Sequence, residues 1–480
     1  MRGTRKTYVS HFGVRACELV KLAPANGDRS MAASSSLAFT ARRGDPELVA
    51  PAGPTPRGLR RLSDIDDQGS FRFYRSVIYF YRRSGGGRRV VGDPARVIRD
   101  ALAAALVHYY PIAGRIRELP GGKLVVDCTG EGVSFVEADA DVSLEEFGDS
   151  LCPPIPCAGE LLTLPESNSA VVTDRPLLYV QVTRLRCGGF VFGTQICHNL
   201  VDAVGTTQLF QAVGELVQGA AAPSVRPVWA RELLDARHPP RPAYDHPEYE
   251  PASDEASDKL RPGDELARRR FLFGPDDVAA LRAQLPARLR PRCSRFLLLS
   301  AFTWRCRTAA LGYAPGDEVR FMFLVNGRGG TPLPEGFYGN VLTLGVARTT
   351  AGELCSGPLS RAVELIAAAR ARTMADGYVQ SAADAVVLRG RRRFTTARTY
   401  LVTDLTKSPL HEVDLGWGRP LFGGPATTKL ATFHLPARGG GITVPMCLPP
   451  RAMERFAAAV RAGLAAGVPR AAEEAALSKM

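Results

Sequence analysis

Strands and helices alternate on both sides of a long polar stretch, which predicts a two-domain α/β protein. A chain of 480 residues exceeds what one hydrophobic core usually serves, so two cores are expected. From Asp235 to about Leu266 the chain is rich in Pro, Asp, Glu and Arg, as in Arg237-His238-Pro239-Pro240-Arg241-Pro242 and Pro251-Ala252-Ser253-Asp254-Glu255. That composition marks a linker, and its length marks an interdomain crossover. The expected division is a first domain over 31–234, a crossover over 235–266 and a second domain over 267–470, with an extension at 1–30 and a tail at 471–480.

Pro94 to Val107 reads as the first amphipathic helix. Leu178 to Leu185 and Phe190 to Ile196 alternate apolar and polar residues around Cys187-Gly188-Gly189, the pattern of a hairpin. After it, Leu209, Phe210, Val213, Leu216 and Val217 recur at helical spacing. Beyond the crossover, Ser294 to Leu311 and Leu359 to Met374 read as further amphipathic helices.

The hairpin and the following helix meet in Thr194-Gln195-Ile196-Cys197-His198-Asn199-Leu200-Val201-Asp202-Ala203-Val204-Gly205. His198 stands where the second strand ends, with Asp202 four residues on. A side chain at such a corner can face a cleft, and imidazole, whose unperturbed pKa lies nearest neutrality, suits general-base work on an alcohol or amine. A histidine can equally cap or pack a strand end. With seven His and 48 acidic residues in the chain, chance supplies about 0.7 such spacings. The chemistry needs a second, independent signal.

That signal is Asp414-Leu415-Gly416-Trp417-Gly418-Arg419-Pro420. Together with His198-x3-Asp202-x2-Gly205 it resembles the paired HxxxD and DFGWG signatures of the plant BAHD acyltransferases. Tyr110-Pro111-Ile112-Ala113-Gly114-Arg115 is similar to the family's YPLAGR segment. Asn326-Gly327-Arg328, Pro332-Leu333-Pro334 and Tyr338-Gly339-Asn340 are similar to its central NxR…PLPxxYYGN stretch. The resemblance runs in family order from about Leu37 to about Phe456. A narrower similarity points to the branch containing benzyl alcohol O-benzoyltransferases and related aromatic or taxane acyltransferases. It is carried by Phe39-Thr40-Ala41-Arg42-Arg43, Leu48-Val49-Ala50-Pro51, Pro54-Thr55-Pro56 and Leu62-Ser63-Asp64-Ile65-Asp66-Asp67-Gln68. Arg398-Thr399-Tyr400-Leu401-Val402-Thr403-Asp404 and Gly423-Gly424-Pro425-Ala426 add to it.

The resemblance implies two similar α/β-sandwich domains of the chloramphenicol acetyltransferase-like kind, with an active-site channel between them. It implies acyl-CoA-dependent O-acyl transfer, with benzoyl-CoA as co-substrate rather than bound cofactor, benzyl alcohol or a similar alcohol as acceptor, and benzyl benzoate and free CoA as products. Other donors (acetyl, anthraniloyl, hydroxycinnamoyl), an amine acceptor and a non-catalytic ligand-binding relative stay open. Intact His198, Asp202, Asp414 and Trp417 argue against the last, since a binding module needs no base in a channel.

A thioester is already activated, so a ternary-complex reaction needs only a base and stabilisation of the developing oxyanion. No Gly-x-Ser-x-Gly elbow is present, and Cys197 and His198, as strand neighbours, point to opposite faces. That leaves His198 as the base. By resemblance, Asp202 turns away from the substrate and holds its loop through an arginine, while Asp414 mainly shapes the channel, by pairing with Arg328, with a second acid/base role as the lesser alternative. Trp417 and Gly418 pack the loop, with the Trp417 N–H aimed at an oxyanion or the ring simply buried. Thr55, Phe71, Thr403, Thr406, Leu421 and Phe422 are expected to line the acyl or alcohol pocket, and Ser294, Trp304 and Arg305 to run near CoA. Two departures stand out: Leu415 replaces the usual Phe of DFGWG, and the stretch after Arg328 is glycine-rich, short and without the family's second basic residue.

Hydrophobic residues at 45% and charged residues at 23% are ordinary for a globular chain. No run reaches the roughly 18 apolar residues that span a bilayer, so no membrane anchor is expected. Ten cysteines form no disulfide scaffold, and Cys152 and Cys157 lack a second pair at zinc spacing, so no metal site is expected. The net charge of +13 is spread along the chain without a nucleic-acid-binding pattern. Arg389, Arg391, Arg392, Arg393 and Arg398 cluster either as a solvated loop or as a landing surface for CoA phosphates, with Arg391, Arg392 and Arg393 the expected ligands. A monomer is expected.

The first 30 residues carry Arg2, Arg5, Lys6, Arg15, Lys21 and Arg29 against Glu18 and Asp28, and read as a disordered extension or alternative start before Met31-Ala32-Ala33. Ser478-Lys479-Met480 resembles the Ser-Lys-Leu class of peroxisomal address, which implies an import receptor as partner and a peroxisomal location, with the cytosol as alternative.

Overall fold

The computed structural model describes residues 18–20, 37–83, 92–148, 151–163, 170–251, 258–260, 264–428 and 431–466. The expected start at Met31 and the tripeptide Ser478-Lys479-Met480 lie outside the described residues.

Among the described residues, two seven-stranded mixed sheets, one for each half, and a smaller three-stranded sheet make up the β-structure. In the first sheet, Leu178–Leu185 and Phe190–Cys197 form the expected hairpin, in register from Phe190 opposite Arg184 to Ile196 opposite Leu178. Its turn is made by Gly188 at φ +79°, a backbone region that glycine enters without a Cβ penalty. Every residue of Phe190–Cys197 is buried, because Tyr74–Tyr81 flanks it on the other side and both sheet faces are covered. The helices Pro94–His108 and Ala203–Val217 cover one face. Ile98, Leu102, Leu106, Leu209, Phe210 and Val213 pack there with Tyr79, Val180 and Phe192. Asp93 caps the first helix by accepting from the Arg96 N–H, with Pro94 in its first turn.

The second half builds its own core from Phe271, Leu298, Phe321, Ile366, Tyr400, Val444 and Phe456. The helices Arg295–Leu311, Leu359–Thr373 and Pro450–Ala465 contribute to it. The sheet beneath runs Glu18–Val20, Ala267–Phe273, Ile442–Leu448, Thr432–Pro436, Thr399–Asp404, Glu318–Asn326 and Leu342–Thr350 in spatial order.

Three features depart from the expected division. Glu18–Val20 is not a disordered piece: it pairs in parallel with Ala267–Phe273 at the edge of the second sheet. Phe422–Pro425, from the second half, adds a strand to the first sheet, with Phe422 opposite Phe80 and Pro425 opposite Val77. Leu410, Val413 and Leu415 follow it into the first core. Over residues 235–251 the crossover is also no loose linker. The backbone N–H groups of Arg237 and Arg241 donate to Asp384, those of Ala243 and Tyr244 donate to Ser381 Oγ, and buried His246 bonds both Ser381 and Glu248. Helix Tyr378–Leu388, which carries Ser381 and Asp384, thus staples a polar strap whose composition alone reads as flexible.

Candidate active site

His198 is positioned by the backbone on both sides of it. Its N–H donates to the Phe73 carbonyl at 2.9 Å, one step past the Cys197–Tyr74 pair that ends the ladder. Its own carbonyl accepts from Asn340 Nδ2 at 2.8 Å. Asn340 is held in turn by Asp66, whose Oδ1 accepts from the Asn340 N–H at 3.0 Å and from Nδ2 at 2.8 Å. Asp66 is itself buried against Arg231 at 3.1 Å. The imidazole lies face to face with Phe71, centroids 4.7 Å apart, and meets Phe73 edge-on at 5.2 Å.

The ring is 5% exposed, and among the described residues no carboxylate bonds it. Burial pulls its pKa down to about 3, and the positive charge of Arg75 pulls the same way, against weaker support from Asp202 and Asn340. The imidazole is therefore neutral across the neutral range and can accept a proton. Burial pushes the neighbouring Cys197 thiol up to about 12, so no thiolate competes with it.

Asp202 does not form a triad with His198. It caps the helix Ala203–Val217 through the Gly205 N–H at 3.0 Å. Its carboxylate meets Arg328 at 2.5 Å and 3.1 Å and accepts from the Val341 N–H at 3.2 Å. Arg328 also donates to the Gly339 carbonyl at 2.7 Å. Gly205 is needed for this approach: a Cβ there would lie 2.0 Å from the Tyr338 carbonyl oxygen.

The expected pairing of Asp414 with Arg328 is corrected by this geometry. Asp414 Oδ1 instead accepts from its own loop, from the N–H groups of Gly416 at 2.7 Å and Gly418 at 2.9 Å. Both glycines have positive φ, +93° and +84°, which explains their presence. Leu415 is buried in the first core, where an apolar exchange for Phe fits. Trp417 packs edge-on against Phe190 at 4.9 Å. Phe190 begins the strand that ends at Cys197, so at a rise of ~3.3 Å per residue the loop lies about 25 Å from His198. The oxyanion role expected of Trp417 is therefore excluded by distance.

A cavity of ≈ 1610 Å³ opens between the two halves, lined on one side by Phe71, Phe73, Arg75, Gln195 and His198, and on the other by Leu324, Leu344, Arg393, Thr403, Asp404, Lys407 and Phe433. Of the expected pocket residues, Phe71 and Thr403 line it. Thr55 and Thr406 do not, and Thr406 instead bonds Asp404 at 2.6 Å. Leu421 faces outward and Phe422 is buried beside Phe80, because the edge strand they begin presents its other end, Pro425, to the cavity.

The expected CoA residues are mostly structural. Ser294 caps its helix through the Leu297 N–H. Trp304, 1% exposed, packs in the second core with its ring tilted against Phe321, and Arg305 lies on the same helix, outside the cavity lining. Arg391 is paired with Asp64 and Asp67, both at 3.0 Å, and Arg398 is buried against the Glu318 carbonyl. Arg393 lines the cavity, and Arg392 is exposed beside it. Asn340 and Asp66 fall within the family-like stretches of the sequence, and Arg75 falls in none of them. No spacing rule marks any of the three.

The Transferase family model matches residues 43–462. The chain is 50% identical over 437 residues to the benzyl alcohol O-benzoyltransferase of Nicotiana tabacum, covering 88% of this chain and 93% of the relative, and equally to that of Petunia hybrida. It is 44% identical over 426 residues to alcohol acyl transferase 1 (allele RGb) of Malus domestica, with 86% of this chain and 93% of the relative covered. Among solved structures it is similar to vinorine synthase, with a TM-score of 0.65, 22% identity and coverage of 87% of this chain and 96% of the other. It is also similar to F. sporotrichioides TRI101 complexed with coenzyme A and T-2, with a TM-score of 0.64, 15% identity and coverage of 84% and 97%. At those identities the structural likeness speaks for the fold.

Proposed function

The chain belongs to the BAHD acyltransferases and is an acyl-CoA-dependent O-acyltransferase; from that premise we propose that it transfers benzoyl from benzoyl-CoA to benzyl alcohol, with His198 as general base. The observation that carries the role of His198 is a neutral imidazole, bonded by no carboxylate among the described residues, facing a large cavity between the halves. The donor and acceptor rest on the 50% identity to benzyl alcohol O-benzoyltransferases.

His198 takes the hydroxyl proton as the alcohol oxygen attacks the thioester carbonyl. The tetrahedral intermediate then expels CoA thiolate, which receives the proton back from His198. Burial and the nearby Arg75 disfavour the imidazolium, so the proton is held briefly and returned readily. Arg393 and Lys407, both exposed and lining the cavity, are the cations best placed for CoA phosphates.

Incubation with benzoyl-CoA and benzyl alcohol should give benzyl benzoate and free CoA with sequential kinetics. Ping-pong kinetics or an isolable acyl-enzyme would sink the mechanism, and a strong preference for acetyl-CoA would sink the choice of donor. The proposal extends to address: Ser478-Lys479-Met480 is read as a peroxisomal signal. Deleting it should move an amino-terminally tagged protein to the cytosol without altering activity in lysate, and an unchanged location would defeat the reading.

A further inference from the structure

We infer that Arg75 is a specificity-determining residue, taking up an oxygen acceptor carried by one of the two aromatic substrates beside His198, an ionised oxygen most strongly. Arg75 lies in the strand Tyr74–Tyr81, directly opposite Ile196 and so two residues from His198 in register. It lines the cavity. One terminal nitrogen, Nη2, donates to Thr206 Oγ1 at 2.6 Å, while Nε is buried with no partner among the described residues.

Charge counting makes this unusual. Arg75 and Arg328 both lie near the same carboxylate, Asp202. The oxygens of Asp202 are already taken by Arg328 and by the Gly205 and Val341 N–H groups. His198 is neutral, and among the described residues Arg75 makes no ion pair of its own, with Asp202 acting on it only through space. Two other arginines of the first half's surroundings do hold carboxylates, Arg231 with Asp66 and Arg391 with Asp64 and Asp67. A desolvated cation with unused donors is costly unless something binds it, and the space it faces is the one a substrate fills.

The consequence is discrimination by a polar contact. A site built to bond an oxygen rejects the analogue lacking it far more strongly than an apolar pocket rejects a changed methylene. A hydroxyl, carbonyl or carboxylate on the acyl ring or on the acceptor alcohol supplies the same chemistry, so two arms of one experiment separate the sources. The inference rests on the acyl-transfer reading of this cavity and refines its substrates: benzoyl-CoA and benzyl alcohol are accepted, and at one of the two positions a ring carrying an oxygen is preferred.

In the donor arm, hydroxybenzoyl-CoA is compared with benzoyl-CoA, with benzyl alcohol as acceptor. In the acceptor arm, para-carboxybenzyl alcohol is compared with benzyl alcohol, with benzoyl-CoA as donor. Each is run with the unsubstituted chain, Arg75→Met and Arg75→Lys. In one arm, kcat/KM of the unsubstituted chain should favour the oxygenated compound by about tenfold or more. That ratio should collapse in Arg75→Met and be partly kept in Arg75→Lys. A ratio unmoved in both arms overturns the inference, as does an equal loss of kcat/KM for plain and oxygenated compounds. If no donor releases CoA, the transfer reading fails on its own, and calorimetric binding of the same compounds to the unsubstituted chain and Arg75→Met still decides for or against Arg75.

Discussion

Arg328 reaches from the second half of the chain to Asp202 in the first and grips its carboxylate with both terminal nitrogens, at 2.5 Å and 3.1 Å. The aspartate of the His-x3-Asp motif is thereby an architectural residue. It caps the helix that follows the base and, through Arg328 and the Val341 N–H, ties that helix to the opposite wall of the cavity. The base itself is fixed by backbone bonds to Phe73 and Asn340, so its position depends on both halves being in register.

Replacing the base isolates chemistry from binding. His198→Ala should lower kcat by about 10²–10⁴-fold, while acyl-CoA affinity measured by calorimetry stays nearly unchanged. Activity within a few-fold of the parent would remove His198 from the mechanism.

Breaking the grip on Asp202 should act through stability first. Asp202→Asn and Arg328→Met each disrupt a buried pair, at a cost of about 3–5 kcal/mol, read as a lowered thermal midpoint together with reduced kcat. The double variant should lose less than the sum of the two. A fall in kcat with the midpoint unchanged would instead assign Asp202 to the chemistry.

The acid side of the pH profile follows from the direction of the His198 shift. Its folded value is depressed to about 3, so protonation of the base should not cut kcat/KM near pH 6–7, and the rate should stay flat well into the acid range. For stability the sign is fixed by linkage. Between about 6.5 and about 3 the unfolded chain takes up a proton that the folded chain refuses, so stability falls as pH drops through that window and is unaffected above it. His198→Gln, which cannot titrate, should show a shallower loss of midpoint from neutral to mildly acid pH. An equal slope in both proteins would contradict the depressed value.

The remote loop gives a contrasting pair. Trp417→Phe keeps an edge contact with Phe190 and should leave kcat within about twofold, whereas loss of an oxyanion donor typically costs about 10²–10³-fold. A loss of that size would return the indole to the reaction. Gly214→Ala, by contrast, puts a Cβ 1.9 Å from the Asp414 carbonyl oxygen and should destabilise by about 1–3 kcal/mol or more, seen as a lower midpoint and poorer soluble yield.

Local patterns carried most of the fold. The hairpin before His198, the helix after it, and the helices Arg295–Leu311 and Leu359–Thr373 are written in periodicity and turn residues, which is where sequence is most explicit. What escaped reading was set by distant partners. Nothing near Phe422 says that its strand will pair with Tyr74–Tyr81. Arg391 sits in a basic run and looks free until Asp64 and Asp67 arrive from the other end of the chain. Trp304 lies on a helix buried on nearly every side, so its neighbours identify it as core where its position along the chain could not. Arg75, a lone cation in an alternating strand, has the pattern of a solvent-facing residue. Only the register against Ile196 and the cavity beside it reveal otherwise.

The strand exchange at Phe422–Pro425 bears on how the protein must be made. On the ribosome, Tyr74–Tyr81 emerges more than three hundred residues before its outer neighbour. Until then an apolar strand keeps an unpaired edge and the first core lacks Leu410, Val413 and Leu415. Nascent chains in that condition are prone to stick to one another. The first half is therefore a waiting intermediate during synthesis rather than an independent unit, and a fragment ending in the crossover is expected to aggregate unless the segment around 409–426 is supplied.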